Sequence, residues 1–114
     1  MIEIKGIDPQ MIANNLTPYE PTHPGEVLKE EIEYRGLSQR KLAAQMGISY
    51  TLLNEVLNKK RQVNTEFSML IEAALGIDAD MLMRMQARYN RQMASKDQTF
   101  AARLEKVRQA VALL

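Results

Sequence analysis

Four uncharged polar side chains and three adjacent cations hold most of the chemistry that this sequence offers. Tyr50, Thr51, Asn54 and Asn58 recur at intervals that align them along one side of a short helix, and Lys59, Lys60 and Arg61 follow without a break. A carboxamide such as that of Asn54 carries a donor beside an acceptor, which matches the major-groove edge of adenine. A threonine methyl can lie against a thymine methyl, and a phenol such as Tyr50 reaches a base or a phosphate. The Lys59–Arg61 cluster is suited to neutralising phosphates. Gln39 opens the preceding helix, where side-chain amide and backbone N–H groups face a nucleic-acid backbone. Ser49 stands at the start of the helix that carries Asn54, and Arg40 is a weaker phosphate candidate. Glu55 can accept from the cytosine amino group or, the plainer reading, stand as a solvent-facing charge that pairs with Lys59 four residues on. With no arginine on this face to grip guanine, an A/T-leaning target is expected. The implied partner is double-stranded DNA.

Catalytic chemistry finds little to build on. The only histidine is His23, which precedes Pro24 at a helix start and suits capping or packing. Cysteine is absent, and no His, Asp or Glu grouping has metal-ligand spacing. No glycine-rich phosphate loop is present. The chain is expected to be no enzyme, with no cofactor and no metal.

These residues need helices to position them, and the helices mark their own ends. One starts near Pro24, carries Val27, Leu28 and Ile32 inward and stops at Gly36. Ser38 caps the next, and Leu37 with Leu42 forms a hydrophobic staple across that start. Gly47 ends it. Ser49 caps a third, stapled by Ile48 and Leu53. A fourth runs from Asn64 or Thr65 to Leu75, with Phe67, Leu70, Ile71, Ala74 and Leu75 on one face, and Gly76 closes it. Asp78 caps a fifth, stapled by Ile77 and Leu82. The second and third helices are joined by Gly47, Ile48 and Ser49 alone, the short glycine-containing link of a helix-turn-helix. Leu42, Ala43, Met46, Ile48, Leu53 and Val56 satisfy its packing, with Leu52 and Leu57 flanking. The fold class is all-α.

Charge is distributed unevenly. The 114 residues sum to +1, yet residues 1–34 carry −5, 35–61 carry +5, 62–80 carry −4 and 81–114 carry +5. A basic island between acidic flanks points to one anionic contact surface. No apolar run approaches the ~18 residues of a membrane span. That fact and the missing cysteines fit a cytoplasmic protein. The eight methionines are read mainly as core filling.

The stretch His23-Pro24-Gly25-Glu26-Val27-Leu28, followed by Gly36-Leu37-Ser38-Gln39, resembles the HigA-type antitoxins of the Xre/Cro family of helix-turn-helix repressors. The likeness continues through Leu42-Ala43, Gly47-Ile48-Ser49, Leu57-Asn58-Lys59-Lys60-Arg61, Ala73-Ala74-Leu75-Gly76 and Gln86-Ala87-Arg88-Tyr89, and spans residues 22–94. The resemblance implies a five-helix Cro/C1-repressor-like domain acting as a homodimer. It also implies a partner, a HigB-like ribonuclease toxin encoded beside it, and autorepression of the shared operon. The chain departs from many relatives in placing Tyr50, Thr51 and Leu52 after the cap, where Arg or Gln is common. It has Asn58 and Lys59 where glycine often precedes the Lys-Arg pair, and Met81 and Leu82 where Phe-Trp is frequent.

The expected organisation is an N-terminal extension, residues 1–21, with a short helix at Asp8-Pro9 and an extended stretch at Ile2 and Ile4. A DNA-binding domain at 22–94 and a C-terminal amphipathic helix at 95–114 follow. One such domain reads few base pairs, so a dimer on a palindromic operator is expected, its half-sites about 34 Å apart. Leu82, Met85, Tyr89 and Met93 are read as a stripe available for that dimer. Phe100, Leu104, Val107, Val111 and Leu114 follow at spacings of four and three, too short a repeat for an independent coiled coil. That helix is expected to pack on the domain, on a dimer mate or on the toxin. The acidic extension is a candidate contact for a basic toxin. Three functions fit: an antitoxin repressor, a stand-alone Xre-type regulator, and a protein-interaction module that has lost DNA binding. The basic cluster argues against the third.

Overall fold

The computed structural model describes residues 21–114. The expected helix at Asp8-Pro9 and the stretch at Ile2 and Ile4 lie outside the described residues. Six helices follow one another: α1 Pro24–Tyr34, α2 Gln39–Met46, α3 Tyr50–Leu57, α4 Thr65–Leu75, α5 Ala79–Lys96 and α6 Gln98–Ala112. Among the described residues there is no strand, and no helix is long and apolar enough to cross a membrane.

Each start is fixed by a side chain that satisfies an orphan backbone N–H. Ser38 Oγ accepts from Lys41 N and Ser49 Oγ from Leu52 N. Asn64 Oδ1 accepts from Phe67 N, Asp78 Oδ2 from Met81 N, and Asp97 Oδ1 from both Thr99 N and Phe100 N. The turn between α2 and α3 is closed by Gly47 N donating to the Ala44 carbonyl and Ile48 N to the Ala43 carbonyl. Gly47 sits at φ 73, a left-handed conformation that a Cβ disfavours.

One core serves α1 to α5. Leu28, Ile32, Leu42, Ala43, Met46, Leu53, Val56, Leu57, Val63, Phe67, Ile71 and Leu82 form a single buried cluster. Helices α2 and α3 pack on each other, α1 on α3, and α4 on both α2 and α5. Among the described residues, the methionines mostly stay out of this core. Met46 is buried and Met81 packs against the cluster, whereas Met69 and Met93 are exposed. The α5 stripe also differs from expectation: Leu82 is fully buried and Tyr89 packs against His23. The inner face of α5 is set by Ala79, Leu82 and Gln86, so of the expected stripe Leu82 belongs to the core, Met85 and Tyr89 are half-buried and Met93 is exposed.

No residue of α6 is buried, and its substantial contacts are with α5 alone. Phe100, Leu104, Val107 and Val111 remain exposed along it. Its packing on the domain is chiefly with α5 and leaves the apolar stripe uncovered by the described residues.

Ser68 lies fully buried on the inner side of α4, its Oγ without a hydrogen-bond partner among the described residues. A buried hydroxyl left unpaired costs about 1–3 kcal/mol. Ser68→Ala is expected to raise stability by about 1 kcal/mol in urea titration. A loss of that size would mean that the hydroxyl finds a partner.

Candidate nucleic-acid interface

The outward side of α3 follows from what its inward side must bury. Leu53, Val56 and Leu57 face the core, which leaves Tyr50, Thr51, Asn54, Glu55 and Asn58 turned away from it. The structure brings Gln39, Tyr50 and Asn54 together. Asn54 Nδ2 donates to Gln39 Oε1 and to Tyr50 Oη, each at 3.4 Å. The guanidinium of Arg40 lies over the Tyr50 ring, 4.1 Å from its centroid, a favourable cation–π contact. Thr51 is exposed beside them. Ser49 spends its oxygen on the cap, and its hydroxyl proton stays available to donate. Asn58 is tied at both ends: Oδ1 accepts from Lys29 Nζ at 3.2 Å and Nδ2 donates to the Asn54 carbonyl at 2.9 Å.

The three cations are not equivalent. Lys59 Nζ pairs with Glu26 at 3.3 Å. Arg61 pairs with Glu55, its Nε at 3.0 Å and its Nη2 at 2.8 Å. Lys60 has no side-chain hydrogen bond or ion pair among the described residues. The expected Glu55–Lys59 pair is therefore replaced by Glu55–Arg61. The reason is backbone geometry. Lys59 adopts φ 66, the left-handed conformation, and ends the helical register that would set it over Glu55. Lys60 N donates to the Glu55 carbonyl and Lys59 N to the Val56 carbonyl, the same closing pattern that Gly47 makes after α2. The partly exposed ion pairs contribute little stability, so both cations can exchange a carboxylate for a phosphate at small cost.

Two buried polar groups hold this surface: the capping role of His23 was expected from its place before Pro24, and the role of Gln86 was not. His23 is only 2% exposed. Its Nδ1 accepts from Gly25 N at 2.8 Å, so it caps α1. The ring also bonds to the backbone of Arg61 and meets the Tyr89 ring edge-on at 4.8 Å. Burial holds its pKa below the ordinary 6.5; Lys59 pushes the same way, while Glu26 and the Arg61 backbone oppose them. Gln86 Oε1 accepts from Val63 N at 2.8 Å, its Nε2 donates to Asn90 Oδ1, and Asn90 Nδ2 donates to Gln62 Oε1. This relay anchors the segment after Arg61 to α5. The available signal was position: Gln86 lies one turn beyond Leu82 on the inner face.

Gly25 completes the frame. A Cβ there would come within 2.0 Å of the Val56 carbonyl oxygen, so only glycine lets the start of α1 lie against the end of α3.

A short two-helix unit, with a polar outer face and cations beyond its second helix, defines a helix-turn-helix nucleic-acid-binding protein. The family model described as Helix-turn-helix matches residues 28–82. Virulence-associated protein I of Dichelobacter nodosus is 33% identical over 76 residues, which are 66% of this chain and 70% of that protein. The chain belongs to the Xre-type helix-turn-helix family. Among solved structures it is similar to an addiction module antidote protein of the HigA family from Coxiella burnetii. That match has a TM-score of 0.68 and 26% identity, and covers 76% of this chain and 94% of the other. The Pseudomonas aeruginosa antitoxin HigA, solved with the higBA promoter, shares the fold with a TM-score of 0.65. Its identity is 22%, over 77% of this chain and 91% of that one.

Two outcomes follow. Below pH 6.5 the unfolded chain takes up a proton on His23 before the folded chain does, because burial lowers the folded pKa. Stability is then lost as pH falls from about 6.5 towards the folded pKa, and is unaffected by this group at higher pH. Urea midpoints across that range should show the slope, and His23→Gln should flatten it. Separately, in a chain carrying Glu26→Gln, where no ion pair is left to lose, Lys59→Gly should stabilise by about 1 kcal/mol. An unchanged urea midpoint would deny any strain at Lys59.

Proposed function

We propose that this chain is a sequence-specific DNA-binding repressor that acts as the antitoxin of a type II toxin–antitoxin pair. It binds a palindromic operator as a homodimer, represses its own operon and neutralises a HigB-like ribonuclease toxin in the cytoplasm. Its role is binding, not catalysis. The observation that carries this reading is the outer face of the helix-turn-helix, where Gln39, Tyr50 and Asn54 converge while Lys60 stands unpaired just beyond α3. The HigA-family antidote and the promoter-bound HigA antitoxin support it by likeness.

Roles divide along the surface. Tyr50, Thr51 and Asn54 face base edges, with Ser49 and Asn58 at the ends of the same helix. Lys59, Lys60 and Arg61 approach the phosphates, with Lys60 the most available, and Gln39 stands beside Asn54 at the start of α2. Residues 22–94 carry the DNA contacts, residues 95–114 contact a second copy or the toxin, and residues 1–21 form an extension. The exposed stripe of α6 supports a contact outside its own domain.

A mobility-shift titration with the chain's own promoter tests this reading. Affinity should fall steeply between about 50 and 200 mM salt, as counterion release requires. Lys60→Ala should weaken binding to all sequences and reduce the log–log salt slope by about 1. Salt-independent binding, or none, would overturn the proposal.

A further inference from the structure

We infer that Gln39 and Asn54 read one base pair jointly, and that Tyr50 and Arg40 are positioning residues for this pair. The inference rests on the reading of α3 as a DNA-facing helix, and deepens it.

The carboxamide nitrogen of Asn54 has two protons, and both are engaged within the protein. One goes to Gln39 Oε1 and the other to Tyr50 Oη. A lone asparagine that reads adenine needs one of those protons for N7 and its oxygen for the N6 amino group. Here the donor role passes to a neighbour. Asn54 Oδ1 accepts nothing among the described residues, and Gln39 Nε2 donates to nothing there. The two amides, linked head to tail, present an acceptor from α3 and a donor from α2.

That pair matches adenine, whose edge offers N6–H to Asn54 Oδ1 and N7 to Gln39 Nε2. Guanine offers acceptors at both places, so its O6 meets the Asn54 oxygen lone pair. Cytosine supplies a donor without the adjacent acceptor. An A·T pair is therefore selected, and guanine is rejected by repulsion as well as by a missing bond.

The amide orientation has to be imposed, because an isolated carboxamide can rotate to present either end. Tyr50 Oη imposes it by accepting from Nδ2, which leaves the phenol's own proton free to donate outward. The Tyr50 ring is in turn held under the Arg40 guanidinium. Arg40 thus acts by stacking rather than by gripping a phosphate. The hydrogen bonds are long at 3.4 Å, so they orient the amides without preventing adjustment to DNA.

The test selects duplexes from a randomised library with the full wild-type chain. The winning duplex and its single-base-pair variants are then titrated by fluorescence anisotropy at two salt concentrations. Circular dichroism confirms that each variant is folded. Wild type should prefer A·T at one position on the order of 10- to 100-fold. Asn54→Ala, Gln39→Ala, Tyr50→Phe and Arg40→Gln should each reduce that preference at the same position, with the salt slope of Arg40→Gln unchanged. If Arg40→Gln instead weakens all sequences equally and lowers the slope by about 1, Arg40 holds a phosphate and its positioning role is wrong. If Asn54→Ala removes the preference while Gln39→Ala or Tyr50→Phe leaves it intact, joint reading is wrong. If wild type itself shows no sequence preference, the DNA-reading assignment of α3 fails, and the inference with it.

Discussion

What α3 presents outward depends on how closely the backbone of α1 approaches its far end at Gly25. The missing side chain there lets the first turn of α1 abut the Val56 carbonyl. It also exposes the Gly25 N–H to the His23 ring. That contact fixes two things together. It holds the end of α3 against the start of α1, while burial of Leu53, Val56 and Leu57 decides which residues face away from the core. It also brings His23 to the Arg61 backbone, so the chain leaving α3 is fastened where the helix ends. The close approach is backbone against backbone, so it cannot relax by a rotamer change, and its geometry passes undiminished to the outer surface.

The electrostatics of that surface follow from the same frame. In place of a bare basic cluster, two of the three cations are already paired within the protein. Glu26 holds Lys59 and Glu55 holds Arg61, while the polar face of α3 is satisfied by its own amides and phenol. Such a surface is preorganised: its side chains are near their working positions and carry little net charge at the centre. Affinity then comes from cations at the edge, and discrimination from neutral groups in the middle, which is the division that phosphate and base contacts require.

Much of the frame was legible in the residues. Serine and asparagine caps, glycines after α1, α2 and α4, and apolar residues before and after the caps are local signals, and local physics placed these starts and stops. The three-residue link Gly47-Ile48-Ser49 carried the topology. What was not legible depended on residues distant in sequence. The Glu55 partner could not be read from helical spacing because Lys59 leaves the helix in a left-handed conformation usually reserved for glycine. On α5 the inward place of Leu82 beside Gln86 was missed, because Gln86 is polar and periodicity sought among apolar residues passes it over. Methionine content misled for a related reason: flexible apolar side chains fill cores and surfaces alike. At the interface, the identities of the polar residues were readable, but not that Asn54, Gln39 and Tyr50 form one hydrogen-bonded unit, since α2 supplies one of them.

The solitary state of α6 has a consequence for the lifetime of the chain. A fifteen-residue helix with no fully buried residue, packed chiefly on α5, is marginal in water on its own, so its backbone opens at little cost and is accessible to proteases. Any molecule that covers the apolar stripe closes that route by mass action, since it binds only the ordered helix. A partner bound there would slow turnover of the chain, whose abundance would then follow that partner's supply.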